Sequence, residues 1–290
     1  MKLITWNIQW ARGIDLMVDP ARIAHTAGKL ADFDVLCLQE VAVNFSGLPG
    51  SRGEDQVAEL SRALPGYAAH YGAAVDVDDG IGGHSLFGNL IFSRLPVLQT
   101  YRHLLPWPAD PAVKSMQRIA VEVVVQAPWG PVRVTTTHLE YYSALQRMAQ
   151  INALRALHQE ACGHDSAPRT ADGAGGPFRM LPRPVSAILT GDFNCNPEDP
   201  AYRRITEPFG VGIGPSFVDA WTLAHPQIPH APSAGLYENS WAAQPMCCDF
   251  IFVTADLAPR VRGVKVDSQT QASDHQPVLI ELGDRKTSGR

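Results

Sequence analysis

Short runs of apolar, β-branched residues alternate with helical spacings along most of the chain. Lys2-Leu3-Ile4-Thr5-Trp6-Asn7-Ile8 reads as a strand that starts at the second residue. Asp19-Pro20 is a cap and first-turn pair, and Ile23, Ala27 and Leu30 beyond it share one helical face. Val35-Leu36-Cys37-Leu38 is a continuous apolar run that predicts a buried strand ending at Gln39-Glu40. Val57, Leu60 and Leu64 predict a helix near Glu54 to Leu64. The middle is strand-rich, with Tyr67 to Val75, Asn89 to Ser93, Ile119 to Val125 and Val132 to Thr137 as the clearest runs. The last two flank Ala127-Pro128-Trp129-Gly130-Pro131, a hairpin turn by its Pro and Gly content.

A long helix follows from about Ser143 to Cys162, with Leu145, Met148, Ile151, Leu154 and Leu157 on its apolar side. Gly163 to Pro184 is rich in Gly, Pro and Ala and reads as a surface loop insertion. Strand-like runs resume at Val185 to Thr190, Phe250 to Val253 and Val278 to Ile280. The pattern predicts an α/β protein: one domain over residues 1–284, carrying the 163–184 insertion, with 285–290 as a disordered tail.

Composition narrows the class. Of 290 residues, 45% are apolar and 18% charged, which supports a sizeable core and excludes disorder as the main state. No stretch approaches the roughly 20 apolar residues of a membrane helix, so no stable membrane association is expected. Lys and Arg number 24 against 29 Asp and Glu, a net charge of −5 that argues against non-specific gripping of nucleic-acid phosphates. The five cysteines (Cys37, Cys162, Cys195, Cys247, Cys248) are odd in number and form no C-x-x-C pair, which points to reduced thiols. The first residues carry no basic n-region, export-length apolar segment or cleavage site, so a cytoplasmic location is expected.

Polar residues stand where the strand patterns stop: Asn7, Glu40, His138, Asp192, Asn194, Asp249, and Asp274-His275. Strand ends and the loops beyond them are the usual place for a site in layered α/β proteins. A carboxylate after a strand is, taken alone, more often a turn former or helix cap. The collection says more. Glu40, Asp192 and Asp274 are hard oxygen donors suited to Mg²⁺ or Mn²⁺. His138 and His275 are candidate proton donors to a phosphoryl oxygen, and Asp249 is a candidate partner that would hold one imidazole charged. Hard metal, imidazoles and a carboxylate base are what water attack on a phosphate ester needs.

Seven segments occur in order: Thr5-Trp6-Asn7, Leu38-Gln39-Glu40, Gly88-Asn89-Leu90-Ile91-Phe92-Ser93-Arg94, Thr137-His138-Leu139, Gly191-Asp192-Phe193-Asn194, Cys248-Asp249-Phe250-Ile251 and Ser273-Asp274-His275-Gln276-Pro277. Together they resemble the endonuclease/exonuclease/phosphatase superfamily of deoxyribonuclease-like metal-dependent phosphoesterases, over residues 2–283. The resemblance implies a four-layer α/β sandwich, two mixed β-sheets packed face to face with helices on the outer faces. It implies that Glu40 is the principal metal carboxylate, with Asn7 beside it and Asp274 and Asp192 contributing. Asp192 would also orient or deprotonate the attacking water, held by Asn194. His275 resembles the family's catalytic histidine, paired with Asp249, and His138 resembles the second histidine of the deoxyribonuclease-like and sphingomyelinase-like branches. Two features depart from the family pattern: Met246-Cys247-Cys248 stands before the Asp-aromatic-Ile strand, and Cys195 directly follows Asn194. All three cysteines read as small buried thiols, although a Cys195 close to the metal would expose the site to oxidation or soft metals.

The substrate expected is a phosphate ester, with DNA or RNA favoured over small-molecule or lipid esters of the sphingomyelinase-like or inositol-phosphatase-like kind. Asn89 and Arg118 are candidate phosphate contacts, and Arg12 and Arg94 also lie in or near motif segments. Setting aside Glu40, Asp192, Asp249 and Asp274 as site carboxylates leaves a balance of −1, so charge no longer speaks against a polymer. Two competing readings are a silent binding member and a zinc hydrolase. The first is disfavoured by the complete set of acid, amide and imidazole positions. The second is disfavoured because His138, His158 and His275 lack ligand-like spacing.

Overall fold

The computed structural model describes residues 1–80, 82–167, 176–179, 181–237 and 244–284. Its strands are β1 (Lys2–Asn7), β2 (Val35–Val43), β3 (Ala68–Asp78), β4 (His84–Ser93), β5 (Val97–Leu104), β6 (Ile119–Ala127), β7 (Gly130–His138), β8 (Ala187–Asp192), β9 (Phe217–Asp219), β10 (Asp249–Thr254), β11 (Val261–Val266) and β12 (Val278–Leu282). The helices are α1 (Pro20–Leu30), α2 (Gln56–Ala63), α3 (Ala144–Ser166), α4 (Pro200–Thr206) and α5 (Ala220–Ala224). Side chains of Asp19, Asp55 and Ser143 cap α1, α2 and α3 by accepting from Arg22, Ala58 and Gln146 N–H groups.

The strands assort into two mixed six-stranded sheets, ordered β11-β12-β1-β2-β4-β3 and β5-β6-β7-β8-β10-β9. Each has a single parallel pair at its middle, β1 with β2 and β7 with β8. Leu3, Val35, Cys37 and Ile91 of the first sheet meet Val121, Val123, Val134, Ile188 and Ile251 of the second in a shared inner core. Burying each such side chain fully contributes about 1.5–3 kcal/mol, which is what holds the sheets face to face. A second core lies between the first sheet and α1 and α2, and a third between the second sheet and α3 and α4. Toward one end the inner layer turns polar. Gln39 Nε2 donates to Thr136 Oγ1 across the sheets (2.7 Å) and to Thr5 Oγ1 beside it (3.1 Å).

Three of the strands carry no clear sequence signal. β5 and β9 are edges of their sheet, β11 an edge of the other, and β5 has no fully buried position to produce a run. β3 continues past the expected end at Val75 to Asp78 and so takes in Asp76 and Asp78. Helix α3 continues to Ser166 and so takes in the first residues of the expected insertion. The rest of that insertion from 168 to 175, residue 180, and the expected tail at 285–290 lie outside the described residues.

The buried face of α3 also differs from the expected one. Leu145 is exposed, while Gln146, Gln150, Ile151, Leu154, Arg155, His158, Ala161 and Cys162 face inward. The sheet under α3 carries a buried ion pair, Arg133 to Glu122 at 3.0 Å, with Arg133 also donating to His158 Nδ1 at 2.6 Å. Gln146 and Gln150 donate to the carbonyls of Pro108 and Pro106. A polar underside selects a polar helix face. All five cysteines are free. Among the described residues no helix is long and apolar enough to cross a membrane.

Candidate active site

The strand registers bring the motif residues to one edge of the sandwich. His138 ends β7 opposite Asp192, and Asp192 ends β8 opposite Asp249, which opens the antiparallel β10. Asn7 ends β1, and Asp274-His275 stand just before Gln276-Pro277, which lead into the strand that pairs with it. Gly191 makes the β8 end possible. It sits at φ +136°, and a Cβ there would lie 1.8 Å from the Thr137 carbonyl oxygen. Glu40 is turned toward the site by a bulge between Leu38 and Val41 of β2 and has φ +58°. Asn194 at φ +48° and Gln9, Trp10 and Ala11 at φ +44° to +59° are also left-handed. Such residues each cost about 1–3 kcal/mol and persist where surrounding structure imposes them.

Asp192 Oδ2 is the hub. It accepts from Asn7 Nδ2 at 3.0 Å and lies 3.5 Å from His138 Nε2 and 3.7 Å from His275 Nε2. Asn7 Nδ2 also donates to Glu40 Oε1 at 3.1 Å, so this amide bridges the two carboxylates, while its Oδ1 accepts from Gln9 N–H. Asp192 Oδ1 accepts from Asn194 N–H at 2.9 Å. On the far side, His275 Nδ1 pairs with Asp249 Oδ2 at 2.9 Å, and Ser233 Oγ donates to the same oxygen at 2.7 Å. Trp6 Nε1 donates to the His275 carbonyl at 3.0 Å, and Gln9 Nε2 donates to Asp274 Oδ2 at 2.6 Å.

The two imidazoles differ in charge, where two charged rings would serve equally as donors. Asn194 Nδ2 donates to the Leu139 carbonyl at 2.8 Å, which fixes its amide orientation because a carbonyl only accepts. Its other hydrogen then points at His138 Nε2, 2.9 Å away, which must offer a lone pair. His138 is therefore neutral and protonated on Nδ1, although Glu40 and Asp192 both lie within 4 Å. Burial, then Arg118 and His275, push it well below the usual histidine range. Burial acts downward on His275 too, but the Asp249 and Asp192 charges and the Asp249 hydrogen bond overcome it and hold the ring well above that range. Burial and then Asp274 push Glu40 up to about 7. Asp192 rises to about 6, mainly by burial, with His275 opposing the rise and Asp249 adding to it.

These groups floor a cleft of about 600 Å³. Trp10, Phe45, Leu48, Val75, Phe87 and Met116 form much of its wall, with Tyr141, Tyr142 and Lys114 at the mouth. Lys114 lies over the Tyr142 ring at 4.6 Å. Arg118 lines the cleft and donates from Nε to the buried Glu140 at 3.2 Å, while its Nη1 has no partner. Asn89 is elsewhere: it is buried and donates to the Ile119 carbonyl at 2.8 Å, tying β4 to the other sheet rather than facing the cleft. Arg94 pairs on the surface with Asp34 (2.8 Å) and with Asp32, and Arg12 is not part of the lining. Cys195 is buried in the outer core beneath α3, away from the cleft lining.

Gln9, Trp10, Glu140 and Ser233 carry no signal of their own in the sequence. Gln9, Trp10 and Glu140 stand next to motif residues, whereas Ser233 lies in irregular chain with nothing to mark it.

The family model described as "Endonuclease/Exonuclease/phosphatase family" matches residues 4–275. Comparison with curated proteins finds no relative. Among solved structures, the mannosyl-6-phosphatase Bt3783 of Bacteroides thetaiotaomicron is similar at 19% identity and TM-score 0.65, covering 98% of this chain and 99% of its own. D. rerio TDP2 complexed with a single-strand DNA product is similar at 18% identity and TM-score 0.63, covering 98% of both chains. The human Nocturnin catalytic domain with bound sulfate is similar at 17% identity and TM-score 0.60, covering 98% of this chain and 93% of its own. At these identities the likeness is one of fold.

Proposed function

Because the chain belongs to the endonuclease/exonuclease/phosphatase family, we propose that it is a divalent-metal-dependent hydrolase of phosphate esters whose substrate is compact rather than a long polyanion. The observation that carries the catalytic reading is the gathering of a neutral and a charged imidazole around Asp192 Oδ2, within 4 Å of it, on the floor of one cleft. Glu40 and Asp274, with Asn7 beside Glu40, would hold Mg²⁺ or Mn²⁺, a fit supported by the hard oxygen donors of a buried pair in which burial and then the Asp274 charge raise Glu40 to about 7. Bound there, such an ion would supply charge to polarise a phosphoryl oxygen and lower the pKa of water.

The chain's own residues divide the remaining work. Asp192, at about 6, is ionised near neutral pH yet basic enough to take a proton from water oriented by Asn194. His275, charged and fixed through Nδ1 by Asp249, presents Nε2–H to the developing charge on the ester. His138, neutral with Nε2 engaged by Asn194, positions that amide. Arg118 is the proposed phosphate contact, supported by its place in the cleft lining beside His138 and His275.

The lining supports a compact substrate. Apart from the charged His275 on the floor, Lys114 and Arg118 are its cations among the described residues, and Arg118 is matched by Glu140. A polymer groove needs a succession of cations, one for each phosphate held. The apolar wall instead suits a single ester bearing an uncharged organic group. The similar structures include both a sugar phosphatase and a DNA-bound protein, so fold alone does not choose between these substrates.

The test is a substrate panel with Mg²⁺ or Mn²⁺ and Asp192→Asn as blank: bis-nitrophenyl phosphate, an aryl monoester, a sugar phosphate, and single-stranded DNA of increasing length. Turnover of the compact esters is expected, with Trp10→Ala raising KM for the aryl esters by roughly three- to tenfold. Hydrolysis confined to DNA, with rates rising with length, overturns the compact-substrate reading. Inertness toward every ester overturns the enzyme reading.

A further inference from the structure

Directly behind the charged histidine stands a thiol that the proposed hydrolysis does not use. Cys248 is fully buried, with Sγ 3.5 Å from Asp249 Oδ2 and 3.9 Å from His275 Nδ1. One donor atom each from Cys248, Asp249, His275 and Asp192 lie within 4.8 Å of one another. We infer that these four residues form a binding site for a thiophilic divalent cation, Zn²⁺ in the first instance, separate from the hard-cation site at Glu40, and that its occupation switches the enzyme off.

The spacing suits a tetrahedral ion. With Zn–S of about 2.3 Å and Zn–N and Zn–O of about 2.0 Å, the edges of a tetrahedron are about 3.5 Å for S···O and S···N and about 3.3 Å for N···O. The corresponding separations among Cys248, Asp249 and His275 are 3.5, 3.9 and 2.9 Å, so adjustments of a few tenths of an ångström suffice for these three. Asp192, whose ligand atom lies within 4.8 Å of theirs, moves in to complete the fourth corner. Asp249 also keeps Oδ1 buried without any hydrogen-bond partner. That oxygen has already lost its water and offers an open ligand position. His275 and Asp192 line the cleft floor, which gives the ion a way in.

Charge balance removes the usual penalty for burying an ion. Zn²⁺ forms bonds to Cys248 Sγ and His275 Nδ1, and the thiol proton and the Nδ1 proton leave to solvent. Two positive charges enter and two depart, so the cluster keeps its net charge. Mg²⁺ and Mn²⁺ prefer oxygen and do not compete well for a thiolate. Occupation breaks the His275–Asp249 hydrogen bond and leaves the imidazole neutral, which removes the charged donor. Inhibition rests on the phosphoesterase reading above, but binding does not.

The two are tested separately. Metal-free protein is titrated with Co²⁺ and with chelator-buffered Zn²⁺, and turnover of a compact ester in Mg²⁺ is followed at the same free Zn²⁺ levels. Expected are one Zn²⁺ per chain, a thiolate-to-cobalt charge-transfer band, and inhibition that tracks occupancy. Cys248→Ser is expected to lose the band, to weaken Zn²⁺ by roughly a hundredfold and to keep Mg²⁺-supported turnover, whereas Cys195→Ser keeps the band. Absence of the band in the wild-type protein overturns the site without recourse to any variant, as does a band that survives Cys248→Ser. Zn²⁺ binding with the band but undiminished turnover overturns the switch. If the wild-type protein shows the band but hydrolyses no ester, the site stands and the phosphoesterase reading falls.

Discussion

Replacing Glu40 by Gln should make the metal-free protein more stable while abolishing hydrolysis. Burial and the adjacent Asp274 raise the Glu40 carboxyl from 4.5 to about 7. The unfolded chain releases this proton near 4.5 and the folded one does not, so folding stability is lost as pH rises from 4.5 to about 7 and stays lost above that. At about 1.4 kcal/mol per tenfold change in proton affinity, the loss is about 3.4 kcal/mol, which partial solvent screening reduces to about 3 kcal/mol. This is a ceiling, because the side chain keeps 18% of its surface exposed. Glutamine keeps an oxygen for the Asn7 amide and has nothing to ionise. With unfolding entropy of about 2.1 cal/mol/K per residue, 3 kcal/mol corresponds to about 5 °C in Tm for a chain of 290 residues. Melting both proteins in chelator should therefore show equal Tm at roughly pH 4.5 and a variant ahead by up to about 5 °C at roughly pH 8. Adding Mg²⁺ or Mn²⁺ should raise the wild type alone, since only its site gains by binding. Parallel wild-type and variant Tm values across that pH range in chelator would refute the reasoning.

Two further substitutions separate scaffold from chemistry. Gly191→Ala places a Cβ 1.8 Å from the Thr137 carbonyl at φ +136°, and should lower stability by at least about 3 kcal/mol in urea unfolding; an unchanged midpoint would show that β7 and β8 part without cost. Arg118→Ala leaves the fully buried Glu140 carboxylate without its charge partner, a loss of about 3–5 kcal/mol. Adding Glu140→Gln should recover most of that stability and none of the substrate affinity, read as Tm against KM; recovery of both would make Arg118 a purely structural residue.

The architecture was legible because the site residues are also punctuation. Asn7, His138 and Asp192 stop strands, and the registers set them beside their neighbours. Asp274 stands just before β12, and Glu40, expected at a strand end, sits instead at a bulge inside β2, which runs on to Val43. What sequence could not supply is information carried by third partners. Two histidines look alike in a motif; the Leu139 carbonyl, which fixes the Asn194 amide, is what makes His138 neutral, and Asp249 is what keeps His275 charged. Asn89 sits in a motif segment yet serves the inter-sheet contact, because the alternation of β4 points it at Ile119. The inward face of α3 was obscured by the ion pair beneath it, which draws glutamine, arginine and histidine where an apolar stripe was expected. The cysteine that matters is Cys248 rather than Cys195, a distinction made by strand direction: β10 starts at the site, whereas the chain after β8 leaves it for the outer core.

The Trp6 indole donates to the His275 carbonyl across 269 residues of sequence, and β1 is hydrogen-bonded to β12. During synthesis, Glu40 and Asp192 are made well before His275. A growing chain that holds Glu40 and Asp192 still lacks His275, and β1 waits on one side without its β12 neighbour. A site divided in this way between early and late residues assembles only once β12 has joined β1.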